Sequence, residues 1–218
     1  MGNERDLWLP YPEEIKMTPP GRVDVEVTRP EHWHVVMGAG GKTDAEVHAH
    51  ELQRRGIPLY KRKGGGGTVL LGPGTLVVTV HAGVAHTFRN LAYFKAINCA
   101  LMDVFAAWKP LAYHQKGISD IAVGDRKIVG SSIFRRKRYL LYQASILVDF
   151  DIELMSTLLR HPPREPDYRR GRGHEAFLTG LRALGAVNDL GAAADDLARR
   201  LPALLPPYLR EVDEAPGA

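Results

Sequence analysis

The sequence predicts an α+β fold in which mixed β-sheets are covered by helices within a single domain. Short β-branched runs separated by turn residues recur over residues 23–80 and 111–150, as expected of strands. A strongly periodic apolar segment, Thr87–Trp108, lies between these regions and is typical of a helix that covers a sheet. The chain has 218 residues, of which 44% are hydrophobic, and this is enough to build one sizeable core.

The N-terminal part is predicted to contain two strands and a helix. Residues 1–22 are rich in proline and glycine, and we expect them to form an N-terminal surface segment. Val23–Thr28 alternates apolar and polar side chains, which indicates a half-buried strand, and residues 34–37 predict a second strand. The spacing of Thr43 and Glu46 is that of a capping box and predicts a helix that runs to Arg55.

The most distinctive segment is a run of four glycines that follows a cationic residue and precedes a strand-like run; the glycines are Gly64, Gly65, Gly66 and Gly67. Glycine loses more conformational freedom on folding than other residues, so this run indicates close approach of the backbone to a bulky group. Backbone N–H groups beside Arg62 suit an anion such as a phosphate. The segment is neither a P-loop nor a Rossmann fingerprint, because Thr68–Leu71 is strand-like. A flexible hairpin connection is the alternative.

Thr87–Trp108 is the clearest helix in the sequence, and Pro110 ends it. The single cysteine, Cys99, lies beside its apolar stripe, and we interpret it as a buried structural thiol and not a nucleophile. The stripe consists of Leu91, Phe94, Ile97, Leu101, Val104, Phe105 and Trp108.

Residues 111–150 predict a strand, a short hairpin and two long strands. Lys127 stands between Arg126 and an apolar pair near the start of one of these strands. A strand lysine that faces a pocket can bind a carboxylate or a phosphate. An ordinary turn lysine is the alternative, and spacing alone favours that alternative.

The remainder predicts helices joined by polar loops. Residues 151–159 form a short helix, residues 177–184 an amphipathic helix face, and residues 189–204 a last helix rich in alanine and leucine. Two prolines then begin a tail, residues 206–218, that we expect to fray. The predicted domain therefore spans residues 23–205.

Composition excludes several classes of protein. No run approaches the roughly eighteen apolar residues of a membrane span, and the N-terminus lacks a signal-peptide pattern, so no membrane association is expected. One cysteine excludes an internal disulfide, which predicts a cytoplasmic location. The formal charge of +4 allows an acidic partner. We expect no nucleic acid partner.

Two separated segments resemble the motifs of the lipoate–protein ligase A family. KRKGGGGTVLLGPGTL, which begins at Lys61, resembles an arginine before a Ser-Gly-Gly-Gly run. SDIAVGDRKIVGSS, which begins at Ser119, resembles Asn-Asp followed by Gly-Arg-Lys-x-x-Gly-Ser, and the strand YLLYQASILVDFD follows at hairpin distance. The resemblance covers about residues 34–182. It implies a single biotin/lipoate-ligase-like catalytic domain without the C-terminal accessory domain of longer members.

The resemblance implies an enzyme that joins lipoate to ATP, releases pyrophosphate, and passes the acyl group to a lysine of a carrier domain. Lys127 would be the catalytic residue that bridges the acyl carbonyl and the α-phosphate, and Asp120 would position Lys127 or bind Mg²⁺. The acyl tail would lie in an apolar channel. The implied binding residues for nucleotide and acid are Arg62, Gly64, Gly65, Gly66, Gly67, Ser119, Asp120, Lys127, Gly130, Ser131 and Ser132.

The implied partner is an acidic lipoyl carrier domain, such as that of a 2-oxoacid dehydrogenase E2 or the glycine-cleavage H protein. A separate accessory protein could replace the missing domain. The basic run Arg135–Arg138, together with Arg169, Arg170 and Arg172, is a candidate surface for steering this carrier. A solvated hairpin tip is the alternative.

Several positions depart from the family pattern. Gly64 stands where the family has serine, Leu71 and Gly72 replace His-Asp, and Ser119 replaces asparagine. These departures bear on substrate identity more than on fold.

Two functions stay open: an adenylate-forming ligase, and a non-catalytic relative that binds a nucleotide, an acyl group or a carrier protein. Octanoyl transfer through a cysteine nucleophile is not expected, because no cysteine lies near either motif.

Overall fold

Two β-sheets of unequal size lie on either side of a cleft in the computed structural model, which describes residues 7–216. The strands are Leu9–Pro10 (β1), Val23–Thr28 (β2), His34–Met37 (β3), Leu59–Lys61 (β4), Val69–Leu71 (β5), Thr75–Gly83 (β6), Tyr113–Lys116 (β7), Asp120–Val123 (β8), Arg126–Arg136 (β9) and Tyr139–Leu147 (β10). The helices are Thr43–Glu46 (α1), Ala49–Arg55 (α2), Asn90–Trp108 (α3), Ile152–Leu158 (α4), His174–Phe177 (α5) and Leu190–Glu214 (α6).

The small sheet has the strand order β1-β4-β3-β5 and is mixed. β4 runs parallel to β1 and to β3, whereas β5 runs antiparallel to β3. One of its faces packs against α2 and α4 in an apolar cluster that includes Val35, Met37, Leu52 and Met155. On the other face, Val36 and Leu71 pack with Val77 of β6. The small sheet therefore reaches the large sheet across the cleft.

The large sheet is antiparallel throughout, with the order β2-β6-β10-β9-β8-β7. Successive side chains of a strand point to opposite faces. Leu76, Val78 and Val80 of β6 belong to the main core with α3 and α6. Gln143 and Ser145 of β10 line the cleft instead. One face of this sheet is thus sealed and the other is polar and open.

The N-terminal segment is attached to the small sheet over part of its length. β1 adds a fourth strand beside β4, and Tyr11 N donates to Lys61 O at 2.9 Å. The Tyr11 ring packs against His34 and Tyr60. Residues 1–6 of the predicted surface segment lie outside the described residues.

The predicted single helix over residues 43–55 is wrong, because it is broken into α1 and α2. Val47 adopts an extended conformation (φ −135°, ψ 157°) and pairs with Leu159, so the backbone leaves the helix there. Thr43 does not cap the helix, because Lys42 occupies the N-cap position and makes no side-chain capping hydrogen bond. Glu46 still reaches back, since its Oε1 accepts from Lys42 N at 3.3 Å.

The predicted helix over residues 177–184 is also wrong. α5 ends at Phe177, and the backbone beyond it forms turns whose first residues hydrogen-bond to strands of the large sheet. Thr179 N donates to Lys127 O at 3.0 Å, and Leu181 N donates to Leu147 O at 2.9 Å. Leu178 and Leu181 are buried as the pattern indicated.

The prediction that a fraying tail begins at residue 206 is wrong, because α6 continues to Glu214. The helix contains Pro202, Pro206 and Pro207, each of which removes a backbone donor. Its buried stripe, Leu201, Leu205 and Leu209, recurs every four residues and packs in the main core. This burial offsets the cost of the prolines. Residues 217–218 lie outside the described part.

α3 is the central core helix and confirms the clearest prediction from periodicity. By length and composition alone it could cross a membrane, but half of it is buried inside the structure, as in the core helix of a globular domain. Leu91 departs from the predicted stripe because it lies in the first turn and is 65% exposed.

The end of α6 is fixed to the loop before α3 by Asp213. Its Oδ1 accepts from Ala85 N at 3.0 Å and from Tyr93 Oη at 2.5 Å. We expect Asp213→Ala to lower the free energy of unfolding by about 1–3 kcal/mol, because two donors lose a charged acceptor. Chemical denaturation measures this change. Glu214→Ala, at a neighbouring exposed position, is the matched control, and equal stability of the two variants would contradict the role of Asp213.

Candidate functional site

A cleft of about 1240 Å³ separates the two sheets and is lined by both motif segments. A second cavity, of about 380 Å³ beside Trp33 and Phe150, contains none of the predicted site residues. Gly64 lies just outside the lining of the larger cleft, against Ser132. The predicted residues that line the cleft are Arg62, Gly65, Gly66, Gly67, Ser119, Asp120, Lys127, Gly130, Ser131 and Ser132.

Lys127 faces the cleft because of a β-bulge in β9. Asp120 pairs with Gly130, but Ala122 pairs with Lys127, so β9 has one residue more than β8 between these two pairs. In a regular strand, residues 127 and 130 would point to opposite faces. The extra residue brings Lys127 to the face of Gly130 and of Asp120, which is a common use of a bulge.

The ammonium of Lys127 lies over Gly130 and is paired with Asp120. The Lys127 Nζ to Asp120 Oδ1 distance is 2.8 Å, and the two side chains are 23% and 10% exposed. A Cβ at Gly130 would lie 2.7 Å from Nζ and 2.9 Å from Cε of Lys127. Glycine at this position therefore leaves the room that the lysine occupies.

Tyr168 contacts this pair from outside the second motif, in a short 3-10 helix, Asp167–Arg169. Its hydroxyl donates to Asp120 Oδ2 at 2.9 Å. Burial and the neighbouring Asp120 carboxylate raise the pKa of Tyr168 well above its ordinary value, so the hydroxyl stays a proton donor. The sequence did not single out Tyr168, because nothing in its spacing marks a residue 48 positions after its partner.

Arg62 turns inward and holds the glycine run by its carbonyl groups. Its Nη2 donates to Gly65 O at 2.6 Å and to Gly67 O at 2.8 Å, and its Nη1 donates to Val36 O at 3.2 Å. Burial lowers the pKa of Arg62 to about 10, which still leaves it charged at neutral pH. The guanidinium therefore shapes the loop from within. Direct contact between Arg62 and a phosphate stays a prediction.

No group of three or more acidic, histidine or cysteine side chains suited to a metal ion is present within residues 7–216. Asp120 was the predicted magnesium ligand, and both of its oxygens are used by Lys127 and Tyr168. Mg²⁺ demands octahedral oxygen coordination and is often held by one or two carboxylates plus substrate phosphates. Asp120 as arranged does not fit this role, because the Lys127 ammonium at 2.8 Å repels a divalent cation.

Several residues predicted to steer an acidic carrier are committed to internal contacts. Arg169 is buried and Arg172 donates to the carbonyls of Asp125 and Tyr168, so these two do not suit that role. Arg135 bonds Asn90 and His86 O. In the rest of the basic run, residues 136–138 are exposed. They lie at the far end of β9, roughly 30 Å from Lys127 at strand spacing.

Polar residues that sequence reasoning missed also line the cleft, among them Glu46, Gln143, Ser145 and His174. Burial and Arg169 lower the pKa of His174 to about 4, so this histidine is neutral at physiological pH. Glu46 accepts from Thr68 Oγ1 at 2.5 Å. The alternation of β10 could have identified Gln143 and Ser145.

Cys99 lies on α3 and outside the cleft lining. It is half-buried, and desolvation raises the pKa of its thiol. A raised pKa disfavours the thiolate, which is the nucleophilic form. Cys99 is therefore less buried than predicted, but its place outside the cleft and its raised pKa support a structural thiol over a nucleophile.

A family model and a curated relative match much of this chain. Residues 29–199 match the model of the lipoyl protein ligase A/B catalytic domain. Octanoyltransferase LipM of Brevibacillus brevis is 26% identical over 149 residues, a match that covers 56% of this chain and 52% of LipM. The chain thus spans about half the length of this curated relative.

Solved structures share the fold. A bipartite lipoate protein ligase from Thermoplasma acidophilum has a TM-score of 0.72 at 19% identity, with 93% of this chain and 74% of that chain covered. A lipoate-protein ligase A bound with ATP has a TM-score of 0.70 at 21% identity, with 84% and 72% covered. The predicted α+β, biotin/lipoate-ligase-like fold is therefore confirmed. Because the family model covers most of its length, this chain belongs to the lipoyl protein ligase A/B catalytic domain family.

Proposed function

We propose that the protein is an ATP-dependent lipoate–protein ligase. It activates lipoate or a related acid to an acyl-adenylate and transfers the acyl group to a lysine of a lipoyl carrier domain. The observation that carries this proposal is the Lys127–Asp120 pair, which a bulge aims into the same cleft that the arginine-supported glycine run lines.

In the first step, a carboxylate oxygen of the acid attacks the α-phosphorus of ATP. The bond from that phosphorus to the bridging oxygen breaks, and pyrophosphate leaves. Negative charge builds on the α-phosphate oxygens during the attack, and a preorganised cation stabilises it. Lys127 is that cation, and Gly65, Gly66 and Gly67 supply close backbone approach to the phosphates.

In the second step, the amine of the carrier lysine attacks the acyl carbonyl carbon. An amide forms, AMP leaves, and the attacking nitrogen gives up a proton. Lys127 can stay beside the carbonyl oxygen throughout, since its flexible stem holds a compact charge between two oxygens. The same side chain therefore serves both steps.

The ligands of relatives support these substrates. One solved relative is bound with ATP, and a lipoate protein ligase from T. acidophilum was solved with lipoic acid. The present cleft has an apolar part that suits an acyl tail. Its lining includes Leu70, Leu147, Met155, Leu159 and Phe177. Magnesium enters the proposal only as the counter-ion that accompanies ATP.

Similarity to LipM raises octanoyl transfer as a second candidate. Acyltransferases related to the ligase family use a cysteine nucleophile for this reaction. The sequence has one cysteine, Cys99, and its position on α3 places it away from the cleft. Covalent transfer through cysteine is therefore not supported, and the ligase is the better proposal.

The proposed acyl acceptor is an acidic lipoyl carrier domain, of the 2-oxoacid dehydrogenase E2 or glycine-cleavage H protein kind. The bipartite relative was studied together with its E2 lipoyl domain. We also propose that the enzyme works with a separate accessory protein and that it acts in the cytoplasm. A non-catalytic relative is the alternative function, and it would bind the nucleotide without releasing pyrophosphate.

The central prediction concerns Lys127. We expect Lys127→Ala to lower kcat for pyrophosphate release with ATP and lipoate by about a hundredfold to a thousandfold, the range for loss of one preorganised electrostatic contact. Lys127→Arg should not restore the rate, because a planar guanidinium does not act as a point charge. A coupled pyrophosphate assay measures both variants, each first shown to be folded.

Near-parent rates in either variant would remove Lys127 from the mechanism. A parent protein that binds ATP but releases no pyrophosphate would favour the binding-module alternative.

Gly66 and a glycine outside the cleft give a matched pair of variants. Gly66 has φ +89°, and a Cβ there would lie 3.1 Å from Arg62 Nη2, so Gly66→Val strains the loop and displaces the guanidinium. Gly173 is exposed, lies outside the cleft lining, and a Cβ there meets nothing within 4 Å. We expect calorimetry to show ATP affinity reduced at least tenfold in Gly66→Val and little changed in Gly173→Val. Unchanged affinity in a folded Gly66→Val protein would contradict phosphate binding by the glycine run.

A further inference from the structure

A third side chain, which neither sequence motif contains, contacts the Asp120–Lys127 pair. Asp120 uses Oδ1 for Lys127 Nζ at 2.8 Å and Oδ2 for the hydroxyl of Tyr168 at 2.9 Å. A carboxylate bonded at one oxygen can still rotate about its Cβ–Cγ bond. Bonds at both oxygens fix the plane of the carboxylate, and with it the place of the lysine ammonium.

Two arginines near Tyr168, Arg169 and Arg172, each donate a hydrogen bond to the backbone carbonyl of the other. Tyr168 belongs to a short 3-10 helix, Asp167–Arg169. Arg169 Nε donates to Arg172 O at 2.9 Å, and Arg172 Nε donates to Arg169 O at 3.0 Å. Arg172 Nη2 also donates to Tyr168 O at 2.8 Å. The backbone that carries Tyr168 is therefore closed into a compact loop.

The same two arginines lie against one aromatic ring. The guanidinium carbons of Arg169 and Arg172 lie 4.8 Å and 5.4 Å from the Phe177 ring centroid. The Tyr168 ring lies 5.1 Å from Phe177 and has the ammonium of Lys116 over it at 5.5 Å. Packing on two sides leaves the tyrosine little freedom to rotate.

We propose that Tyr168 is a positioning residue for Lys127, acting through Asp120. This inference rests on the proposed ligase function. A lysine has a flexible four-carbon stem, and fixing it costs conformational entropy at the moment of reaction unless it is fixed beforehand. Tyr168 fixes it beforehand by orienting the carboxylate that holds the ammonium. Loss of its hydroxyl should lower kcat and leave the Michaelis constant for ATP nearly unchanged.

The test is Tyr168→Phe, which removes one oxygen atom and keeps the ring. Its matched control is Tyr113→Phe, because the Tyr113 hydroxyl donates to Phe105 O and Lys109 O at the outer edge of the large sheet. We expect kcat for pyrophosphate release to fall about tenfold to a hundredfold in Tyr168→Phe, as for a misplaced catalytic group, and to be unchanged in Tyr113→Phe. Equal effects in the two variants would mean that Tyr168 only supports the fold, and would overturn the proposal.

A double-mutant cycle separates positioning from general support of the fold. In a protein that already carries Asp120→Ala, Tyr168→Phe should have no further effect on kcat, since the carboxylate through which it acts is gone. Additive losses would overturn the proposal.

A second measurement needs no catalysis. The side-chain ammonium signal of Lys127 in ¹⁵N-labelled protein, assigned with Lys127→Arg, reports on its ion pair. It should shift in Tyr168→Phe and not in Tyr113→Phe, even if the parent protein releases no pyrophosphate. A shifted signal in Tyr168→Phe together with no pyrophosphate release by the parent would count against the ligase function and in favour of the positioning role. An unmoved signal in Tyr168→Phe would overturn the positioning role whatever the activity.

Discussion

A lysine and a carboxylate that pair in a partly dry cleft must each give up part of their hydration, and the free energy of the pair depends on geometry that compensates for that loss. In this protein the compensation is distributed over three features. The bulge in β9 turns Lys127 into the cleft, Gly130 leaves space beneath its ammonium, and Tyr168 satisfies the other oxygen of Asp120. Each of these three features contributes to the geometry of the Lys127–Asp120 pair.

The two faces of the large sheet differ in role, because one packs in the main core and the other lines the cleft. Its outer face is sealed by α3 and α6 with aliphatic and aromatic side chains, and the single cysteine lies on that side. Its inner face carries serine, glutamine and the ion pair. Because neighbouring strand positions point to opposite faces, one set of strands supports both environments. Substitutions at adjacent positions should therefore have very different effects on folding and on activity.

The sequence predicted the features that depend on local pattern. The alternation of Val23–Thr28, the periodicity of α3 and the two motif segments all have local signals, and the structure places the motif segments at one cleft. The features it did not predict depend on distant partners. The break at Val47 comes from pairing with Leu159, and the inward turn of Arg62 comes from loop carbonyls and from Val36.

The proline-containing part of α6 and the bulge in β9 also depend on distant partners and not on local pattern. Prolines are local signals against a helix, and they were overridden by burial of Leu205 and Leu209 in the main core. The bulge cannot be recognised from the residues in β9, because Lys127 and Ile128 are compatible with a regular strand. Packing over long sequence separations decides such cases.

The pairing of β1 with β4 has a consequence for how the chain can be shortened. β4 leads directly into Arg62, and Glu13, just beyond β1, accepts from the backbone N–H of Lys63. A protein begun at residue 23 would lose both contacts and leave β4 as an open sheet edge, which invites pairing between copies. The glycine run that follows β4 would then lose its outer support, so self-association and a loosened glycine run would appear together.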